Sequence, residues 1–207
     1  MIWIDGVLVS HGEGGVYGER MLAGARVWDP YRSKFAALCY KGTAPELTPE
    51  MRVLYLGAAH GTTASHVADY TETVYAVEVA PRPMQDLLEV ARRRGNIVPI
   101  MADAARPEMY APLIELVDLV YQDVAQPDQV AIALRNCIFL KTGGTLILML
   151  KTRSVDVRRD PADVLSEAAA GLTGSGMDIV AQMWLEPYHR DHAAIVCTRG
   201  KPDRDDR

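Results

Sequence analysis

The sequence predicts an α/β protein built on an open, mostly parallel sheet with helices on both faces. The first observation is an alternation of short apolar runs with helix-like segments from residue 53 onward, which is typical of parallel strands connected by helices. The second is a Gly-rich loop at residues 57–63, between an apolar run and a predicted helix. The third is that residues 1–50 lack this alternation, which indicates a small β-rich N-terminal subdomain.

The predicted N-terminal subdomain begins with two short strands and ends with a helix. Apolar residues alternate with others over residues 2–9 around a turn at Asp5-Gly6, which is a hairpin signal. A helix is predicted over residues 33–41, with Gly42 as its stop. This subdomain is assigned to residues 1–50.

Seven strands and four helices are predicted after the N-terminal subdomain. Short apolar runs predict the strands, and amphipathic or capped segments predict the helices. They form a predicted domain over residues 51–200, followed by a charged tail over residues 201–207 that is expected to fray. The predicted strands cover residues 53–57, 73–78, 97–101, 117–123, 145–151, 178–185 and 193–198, and the predicted helices cover residues 62–70, 85–94, 128–140 and 160–172.

Composition restricts the class of protein. Of 207 residues, 49% are hydrophobic and 24% are charged, as in an ordinary globular protein with one sizeable core. The formal net charge of -5 argues against a free-standing nucleic-acid binder, which is usually basic. Any RNA contact therefore requires a local patch or a partner.

The cysteines and the N-terminus indicate a cytoplasmic protein. Cys39, Cys137 and Cys197 are dispersed and lack metal-type spacing, so reduced thiols are the expected state. The first residues lack the pattern of a signal peptide. No apolar run reaches the ~20 residues that cross a membrane.

The Gly-rich loop is the first candidate binding site. Gly57 and Gly61 permit tight turns and the close approach of a ligand, and Thr62 or Thr63 is expected to cap the following helix. Free N–H groups and the helix dipole would then face a polar, partly anionic small molecule. The alternative is an ordinary strand-to-helix turn.

Acidic residues after the next strands specify the ligand further. Glu78 follows Gly57 at about the ~20-residue spacing at which an acid contacts ribose hydroxyls in dinucleotide-binding folds. The loop lacks the middle glycine of G-x-G-x-x-G, so an adenosyl ligand without a pyrophosphate, S-adenosylmethionine, fits better. Asp103 would then accept from the adenine amino group. The alternative is that both acids lie in solvated loops.

Two charged residues end strongly apolar strands. Asp123 and Lys151 are these residues. Charged side chains at the ends of apolar strands are rarely buried unless they are paired. On neighbouring strand ends they could form a structural salt bridge with each other. The functional alternative is a site that activates a hydroxyl nucleophile toward the methyl group of a sulfonium.

Several stretches, in order along nearly the whole chain, resemble the fibrillarin family, specifically its archaeal RNA 2′-O-methyltransferases. The run from Asp123 to Gln129, which reads Asp-Val-Ala-Gln-Pro-Asp-Gln, is the most diagnostic. His60 departs from the pattern because the family usually has Ser there. The other matching stretches are residues 16–20, 27–34, 53–66, 74–78 and 186–193.

The resemblance implies a Rossmann-like methyltransferase fold behind a small N-terminal domain, and S-adenosylmethionine as cofactor. It implies activity on rRNA or tRNA within a box C/D guide ribonucleoprotein that contains a Nop-domain scaffold protein and a kink-turn-binding protein. It also implies a catalytic set that corresponds to Lys34, Asp123, Lys151 and His192. The expected cofactor residues are Gly57, Ala58, Thr62, Thr63, Glu78, Val79, Asp103, Ala104, Asp123, Val124, Ala125 and Gln126. The Gly/Arg-rich extension of nucleolar members is missing, which favours an archaeal, cytoplasmic protein.

The expected roles follow from the chemistry of a weakly acidic ribose hydroxyl. Lys151 is expected to orient the oxygen and stabilise its developing charge. Asp123 is expected to hold Lys151 and, with Lys34, to shape the pocket, while His192 acts by positioning. Two other functions stay open: a non-catalytic assembly subunit of the same particle, and a nucleotide-dependent oxidoreductase.

Basic residues outside this set are candidates for RNA contact. Residues 92–94 are three arginines that could contact phosphates or could complement a helix dipole at a solvated helix end. Arg153, Arg158 and Arg159 follow the fifth strand on the ligand side and are better candidates for the RNA path. His66 is expected to be a packed or capping residue.

Overall fold

The computed structural model of the protein describes residues 1–200. The predicted tail, residues 201–207, lies outside the described residues. No helix within residues 1–200 has both the length and the apolar character needed to cross a membrane. Over the same residues, no group of three or more histidine, cysteine or acidic side chains could hold a metal ion.

The first residues form a four-stranded antiparallel sheet with strand order β1-β2-β4-β3. The predicted turn connects its first two strands, and Asp5 and Gly6 both have positive φ, 49° and 73°. The third and fourth strands were not predicted because they are only two and three residues long. The strands are β1 (Ile2–Ile4), β2 (Val7–Ser10), β3 (Met21–Leu22) and β4 (Ala25–Val27).

Helix α1 (Lys34–Tyr40) confirms the helix that was predicted at the end of this region. Ser33 caps it, since its side chain accepts a hydrogen bond from the backbone N–H of Ala36. Gly42 has a φ of 74°, a left-handed conformation that stops the helix. The cap leaves Lys34 as the first helical residue.

The remaining strands form a seven-stranded sheet with the order β10-β11-β9-β8-β5-β6-β7. Strands β5 to β9 are parallel to one another, and β11 is antiparallel to β9 and β10, so the predicted mostly parallel sheet is confirmed. The strands are β5 (Arg52–Leu56), β6 (Thr73–Glu78), β7 (Ile97–Met101), β8 (Val117–Gln122), β9 (Leu140–Lys151), β10 (Met177–Trp184) and β11 (His192–Arg199). The helices are α2 (Thr62–Val67), α3 (Pro81–Arg93), α4 (Gln129–Asn136), α5 (Thr152–Val155) and α6 (Pro161–Gly174).

The connection between α4 and β9 differs from the prediction. The helix predicted to residue 140 ends at Asn136 and continues as one 3-10 turn, and β9 begins at Leu140 rather than Thr145. Leu140 pairs with Val117, whereas Leu119 pairs with Thr145. The glycines at 143–144 therefore lie within the strand, where the pairing register shifts, and do not precede it.

Two apolar cores lie on opposite faces of the large sheet, which confirms that helices cover both faces. One core joins α1, α2 and α3 to alternate strand residues such as Val53 and Tyr55, and it also contains Leu8 and Trp28 from the N-terminal region. The other core contains α4 and α6. The N-terminal region thus packs directly on the large sheet, while the domain boundary at residue 50 stays a prediction.

Strand order reverses beside β5, which has β6 on one side and β8 on the other. In open α/β sheets, ligands bind outside the carboxyl ends of the strands at such a switch point. The loop that follows β5 lies at this position. The fold therefore places the predicted loop where a ligand site is expected.

Candidate functional site

The loop after β5 requires glycine at two positions. Gly57 has a φ of 78°, and a Cβ there would lie 2.4 Å from the backbone oxygen of Asp123. Gly61 has a φ of 81° and is the N-cap of α2, without a side-chain capping bond. The prediction that Thr62 or Thr63 caps this helix is therefore wrong, because both threonines already belong to its first turn.

Glu78 ties this loop to the end of β6. Its carboxylate accepts hydrogen bonds from the backbone N–H groups of Ala59 (2.9 Å) and Ala80 (2.7 Å), and the residue is 8% exposed. It is therefore not a solvated loop acid. Asp103 instead accepts a local bond from the N–H of Ala105 (2.9 Å) within its own turn.

A cavity of about 280 Å³ lies between the loop, the end of β6 and the residues after β8. Asp103 is predicted to bind the cofactor but does not line this cavity. Ala58, Thr62 and Thr63 line a neighbouring cavity instead. The predicted cofactor residues that line the first cavity are Gly57, Glu78, Val79, Ala104, Asp123, Val124, Ala125 and Gln126.

The neighbouring cavity, of about 340 Å³, contains all four predicted catalytic residues. Lys34, Asp123, Lys151 and His192 come from four separate parts of the chain and all line it. The two cavities have Asp123 among their shared lining residues. A ligand in one would therefore face a ligand in the other across this carboxylate.

Asp123 is paired with a different lysine from the one predicted. Lys34 Nζ lies 2.9 Å from Oδ1 and 2.8 Å from Oδ2 of Asp123, although the two residues are 89 positions apart. The predicted pairing of Asp123 with Lys151 is wrong, because the first turn of α1 brings Lys34 over the end of β8. Within residues 1–200, Lys151 Nζ has no ion-pair partner.

The main chain of Lys151 is held by a buried glutamine that the sequence analysis did not single out as a site residue. The side-chain amide of Gln129 donates to Lys151 O (3.1 Å), and its oxygen accepts from Lys151 N (2.9 Å). Gln129 is 1% exposed. Because the N–H and the carbonyl group of Lys151 are both hydrogen-bonded to Gln129, the main chain is held in place at the end of β9. The side chain of Lys151 takes no part in these bonds.

His192 lies opposite Lys151 in the pairing of β11 with β9. Its Nδ1 lies 2.7 Å from the carbonyl oxygen of Arg190, which places the proton on Nδ1 and leaves Nε2 as an acceptor. Burial lowers the pKa of His192, and the charge of Lys34 lowers it further. The imidazole is therefore neutral at neutral pH.

Ser33 connects the N-terminal region to the cavity that contains the four predicted catalytic residues, called the catalytic cavity below. No sequence signal beyond its cap position identified Ser33. Its Oγ accepts a hydrogen bond from Trp28 Nε1 (2.9 Å) and also hydrogen-bonds with Thr63 Oγ1 (2.9 Å). The residue is 2% exposed. It therefore links the start of α1, which carries Lys34, to the first turn of α2.

His66 is a packed residue, as predicted. Its ring is buried and stacks on Trp28 with centroids 5.0 Å apart. Its Nδ1 is 2.7 Å from Ser10 Oγ, and its Nε2 is 2.6 Å from the hydroxyl of Tyr17. Burial and the charge of Arg26 lower the pKa of His66 to about 2.

Two arginines at the end of α3 donate hydrogen bonds to the N-terminal region. Arg94 forms an ion pair with Asp69 (2.8 Å) and donates to Glu13 O, and Arg93 donates to Gly15 O. For the buried Arg94 the interpretation as a solvated helix end is wrong, whereas Arg93 is exposed to solvent. Their hydrogen bonds hold the Gly-rich N-terminal loop in place.

The arginines after β9 form ion pairs on the surface. Arg153 lies 3.8 Å from Asp191, Arg158 lies 3.6 Å from Asp156, and Arg159 lies 2.6 Å from Glu167. Each would have to leave its acidic partner to bind a phosphate. Their place on an RNA path stays a prediction.

Comparisons with known proteins agree on one family. The sequence profile of the family Fibrillarin matches residues 8–201. The chain is 75% identical over 199 residues to a fibrillarin-like rRNA/tRNA 2′-O-methyltransferase of Methanoculleus marisnigri, which covers 96% of this chain and 99% of that protein.

Solved structures give the same result. The chain is similar to a protein of the crystal structure of a fibrillarin/Nop5p complex, with 42% identity, a TM-score of 0.90 and 95% of each chain covered. It is also similar to Aeropyrum pernix fibrillarin in complex with natively bound S-adenosyl-L-methionine, with 45% identity, a TM-score of 0.80, and 89% of this chain and 84% of that chain covered.

Proposed function

The chain belongs to the fibrillarin family, and from this membership we infer that it is an S-adenosylmethionine-dependent rRNA/tRNA 2′-O-methyltransferase. The observation that carries this function is the meeting of two cavities at Asp123. One cavity has the features of an adenosyl site, and the other gathers Lys34, Lys151 and His192. A methyl donor in the first would face a ribose in the second.

The residues of the first cavity fit S-adenosylmethionine, which supplies an electrophilic methyl group on a positively charged sulfur. Glu78, held by two backbone N–H groups, offers its carboxylate to ribose hydroxyls. Val79 and Val124 provide apolar walls for the adenine ring. Gly57 brings the loop close to the backbone of Asp123, where any Cβ would clash.

We propose that Lys34 and Asp123 act together to form the wall between the two ligands. The ion pair fixes the carboxylate at the end of β8, and the two side chains are 19% and 21% exposed. Asp123 can therefore accept a hydrogen bond from the ribose 2′-hydroxyl without moving. Fixing the oxygen against the methyl group is the main source of rate in such a transfer.

We propose that Lys151 and His192 handle the charge of the reacting oxygen. The Lys151 ammonium, which no acid within residues 1–200 neutralises, donates to the 2′-oxygen and stabilises the negative charge that develops there. The neutral His192, with Nε2 free to accept, can take a hydrogen bond from the lysine, while the proton of the hydroxyl goes to the Asp123 carboxylate that accepts its hydrogen bond. These roles are complementary because one residue donates and the other accepts.

The partners we propose are a Nop-domain scaffold protein, a kink-turn-binding protein and a box C/D guide RNA. The solved fibrillarin/Nop5p complex supports the first of them. The net charge of -5 supports delivery of the RNA by partners, since the chain as a whole repels phosphates. A cytoplasmic location is in keeping with the free thiols of Cys39, Cys137 and Cys197.

Reconstitution tests this function directly. The full chain would be assembled with the scaffold protein, the kink-turn protein and a guide RNA, and supplied with a complementary target RNA and labelled S-adenosylmethionine. We expect one 2′-O-methyl group at the ribose that the guide selects. Mapping of the labelled methyl group measures the outcome.

The matched control is a particle with Lys151→Ala. It should still bind the cofactor, as measured by thermal stabilisation, and should not transfer methyl groups. Absence of guide-directed methylation by the wild-type particle would contradict the proposed function. Stabilisation by a nicotinamide cofactor but not by S-adenosylmethionine would favour the oxidoreductase instead.

A further inference from the structure

A cleft of about 620 Å³ opens beside the catalytic cavity, between the N-terminal sheet and the loop after β10. Arg32 lines both this cleft and the catalytic cavity, so the two meet at its side chain. The roles proposed above use none of the tyrosines or arginines of the cleft. These residues are Tyr17, Tyr31, Tyr40, Tyr188, Arg20 and Arg32.

The guanidinium of Arg32 is held by an aromatic ring. Its central carbon lies 4.6 Å from the ring centroid of Tyr17, within the range of a cation–π interaction. The hydroxyl of Tyr17 is hydrogen-bonded to the buried His66 (2.6 Å), which fixes the ring in turn. A stacked guanidinium keeps the N–H groups of its edge available for hydrogen bonds in its own plane.

The charge of Arg32 is not neutralised by its surroundings. Among the described residues it forms no ion pair, and it is exposed to solvent. Neither acid of the cleft forms an ion pair with Arg32 among the described residues. Glu19 binds Arg26 at 2.6 Å, and Asp29 accepts the N–H of Tyr31 at 2.8 Å. The arginines after β9, in contrast, each have an acidic partner.

We propose that Arg32, stacked on Tyr17, binds a phosphate of the target RNA strand next to the ribose that enters the catalytic cavity. The inference rests on the function proposed above. A ribose whose 2′-hydroxyl faces Lys151 carries phosphates on both sides, and the strand must leave the cavity along a wall. Arg32 lies on the wall that opens into the cleft, two positions before Lys34, and its planar fork suits the oxygens of a phosphate.

The test compares Arg32→Ala and Arg32→Lys with the wild-type chain in the assembled particle. The kcat/KM for a target RNA oligonucleotide and the KM for S-adenosylmethionine would be measured at several salt concentrations. Arg32→Ala should lower kcat/KM for RNA about tenfold and should reduce the magnitude of its logarithmic salt slope by about 0.7 to 0.9. The KM for S-adenosylmethionine should not change. Arg32→Lys should be intermediate, because it keeps the charge but not the stacked plane.

Lys141→Ala is the matched control, because it removes one positive charge near the start of β9, whereas Lys151 ends that strand. It should leave the RNA parameters at wild-type values. The inference is overturned if Arg32→Ala behaves like Lys141→Ala. It is also overturned if Arg32→Ala raises only the KM for S-adenosylmethionine, which would assign the arginine to the cofactor carboxylate.

Failure of the proposed function would look different. In that case the wild-type particle itself would not methylate. Equilibrium binding of the same RNA oligonucleotide to wild-type and Arg32→Ala particles, at the same salt concentrations, then decides the inference without methyl transfer. Equal affinities and equal salt slopes would contradict it.

Discussion

Two clusters that each combine basic and acidic side chains with a histidine flank helix α2, and they differ in how completely their charges are paired. At its start, Thr62 and Thr63 line the cavity that contains the two lysines, the aspartate and the histidine of the predicted catalytic set. At its end, His66 and Asp69 belong to a cluster with Arg26 beneath the N-terminal sheet. The comparison shows what separates a structural charge cluster from a reactive one.

The cluster beneath the N-terminal sheet is closed. Arg26 is fully buried, with Glu19 and Asp69 each 2.6 Å from its guanidinium. Both ring nitrogens of His66 have hydrogen-bond partners. A buried charge is tolerated only with such complete pairing. The cluster therefore stabilises the fold and has nothing left to bind a ligand.

The cluster at the start of α2 is open. Lys34 and Asp123 pair with each other but remain about one-fifth exposed. Lys151 has no ion-pair partner within residues 1–200, and His192 has one nitrogen free. Residue type therefore does not distinguish the two clusters. Incomplete pairing within a cavity does, and it indicates function.

Lys151→Ala, a change in the open cluster, should have the largest effect on methylation. In the proposed mechanism the lysine donates to the reacting oxygen, so we expect the single-turnover methylation rate to fall by about a thousandfold. Cofactor binding and the free energy of unfolding should stay near wild type, because the side chain has no ion pair among the described residues to lose. Methyl transfer at the wild-type rate would refute the role of Lys151.

Arg26→Met should have the opposite profile. It leaves Glu19 buried without its cationic partner and Asp69 with Arg94 alone, so the free energy of unfolding should fall by about 3 to 5 kcal/mol. Chemical denaturation measures this change. The folded fraction should keep most of its methylation activity.

Lys34→Met provides the matching change in the open cluster. It also removes the cation of an ion pair, but one that is partly exposed, so the stability should fall by about 1 kcal/mol or less. Methylation should fall strongly. Equal stability losses for Arg26→Met and Lys34→Met would show that the two clusters do not differ as described.

Acid should weaken the closed cluster through His66. The pKa of His66 in the folded protein is lowered to about 2, first by burial and then by Arg26, whereas an unfolded histidine titrates near 6.5. The unfolded state therefore binds a proton first as the pH falls below about 6.5, and stability is lost. We expect a loss of about 2 kcal/mol by about pH 5.

Denaturant unfolding over a pH series measures this effect. His66→Gln should be less stable at neutral pH and should lose most of the dependence between about pH 6.5 and pH 5. His192 contributes in the same direction, because burial first and then Lys34 also lower its pKa, so His192→Gln serves as a control. An unchanged pH dependence in His66→Gln would exclude His66 as the source.

Among the changes that act on the open cluster, Ser33→Ala should have the smallest effect on methylation, because Ser33 acts only through its neighbour Lys34. It removes the cap of α1 and the acceptor for the hydrogen bonds of Trp28 and Thr63, at a cost of about 1 to 2 kcal/mol. Because Lys34 follows directly, kcat should fall about threefold while the KM for S-adenosylmethionine is unchanged. Ser33→Thr, which keeps a hydroxyl, should restore kcat. A failure of threonine to restore it would point to packing instead.

Much of the fold could be predicted because its signals are local. The predicted strands over residues 73–78 and 97–101 agree with β6 and β7 at both ends. The helix capped by Ser33 also agrees closely. In contrast, β3 and β4 are too short to have a period, and they form only because they pair with β2 and with each other.

The candidate site also has a part that could be predicted from local signals and a part that could not. Strand ends bring Asp123, Lys151 and His192 together because the carboxyl ends of parallel strands share one edge of the sheet, and the antiparallel β11 begins at that edge. The glutamine that holds Lys151 and the serine that links α1 to α2 carry no sequence signal of their role. Their hydrogen bonds join elements that are distant along the chain.

The sequence alone determined the fold class and the family resemblance, and it predicted a set of site residues, because apolar periodicity and motif order are properties of neighbouring positions. Only the tertiary structure decided which lysine neutralises Asp123 and which stays free, and it also separated the closed cluster at His66 from the open one. The physical reason is that an ion pair depends on distances of about 3 Å between elements that the fold, not the chain order, brings together. Lys34 meets Asp123 across 89 positions, and Lys151 is left without an ion-pair partner among residues 1–200.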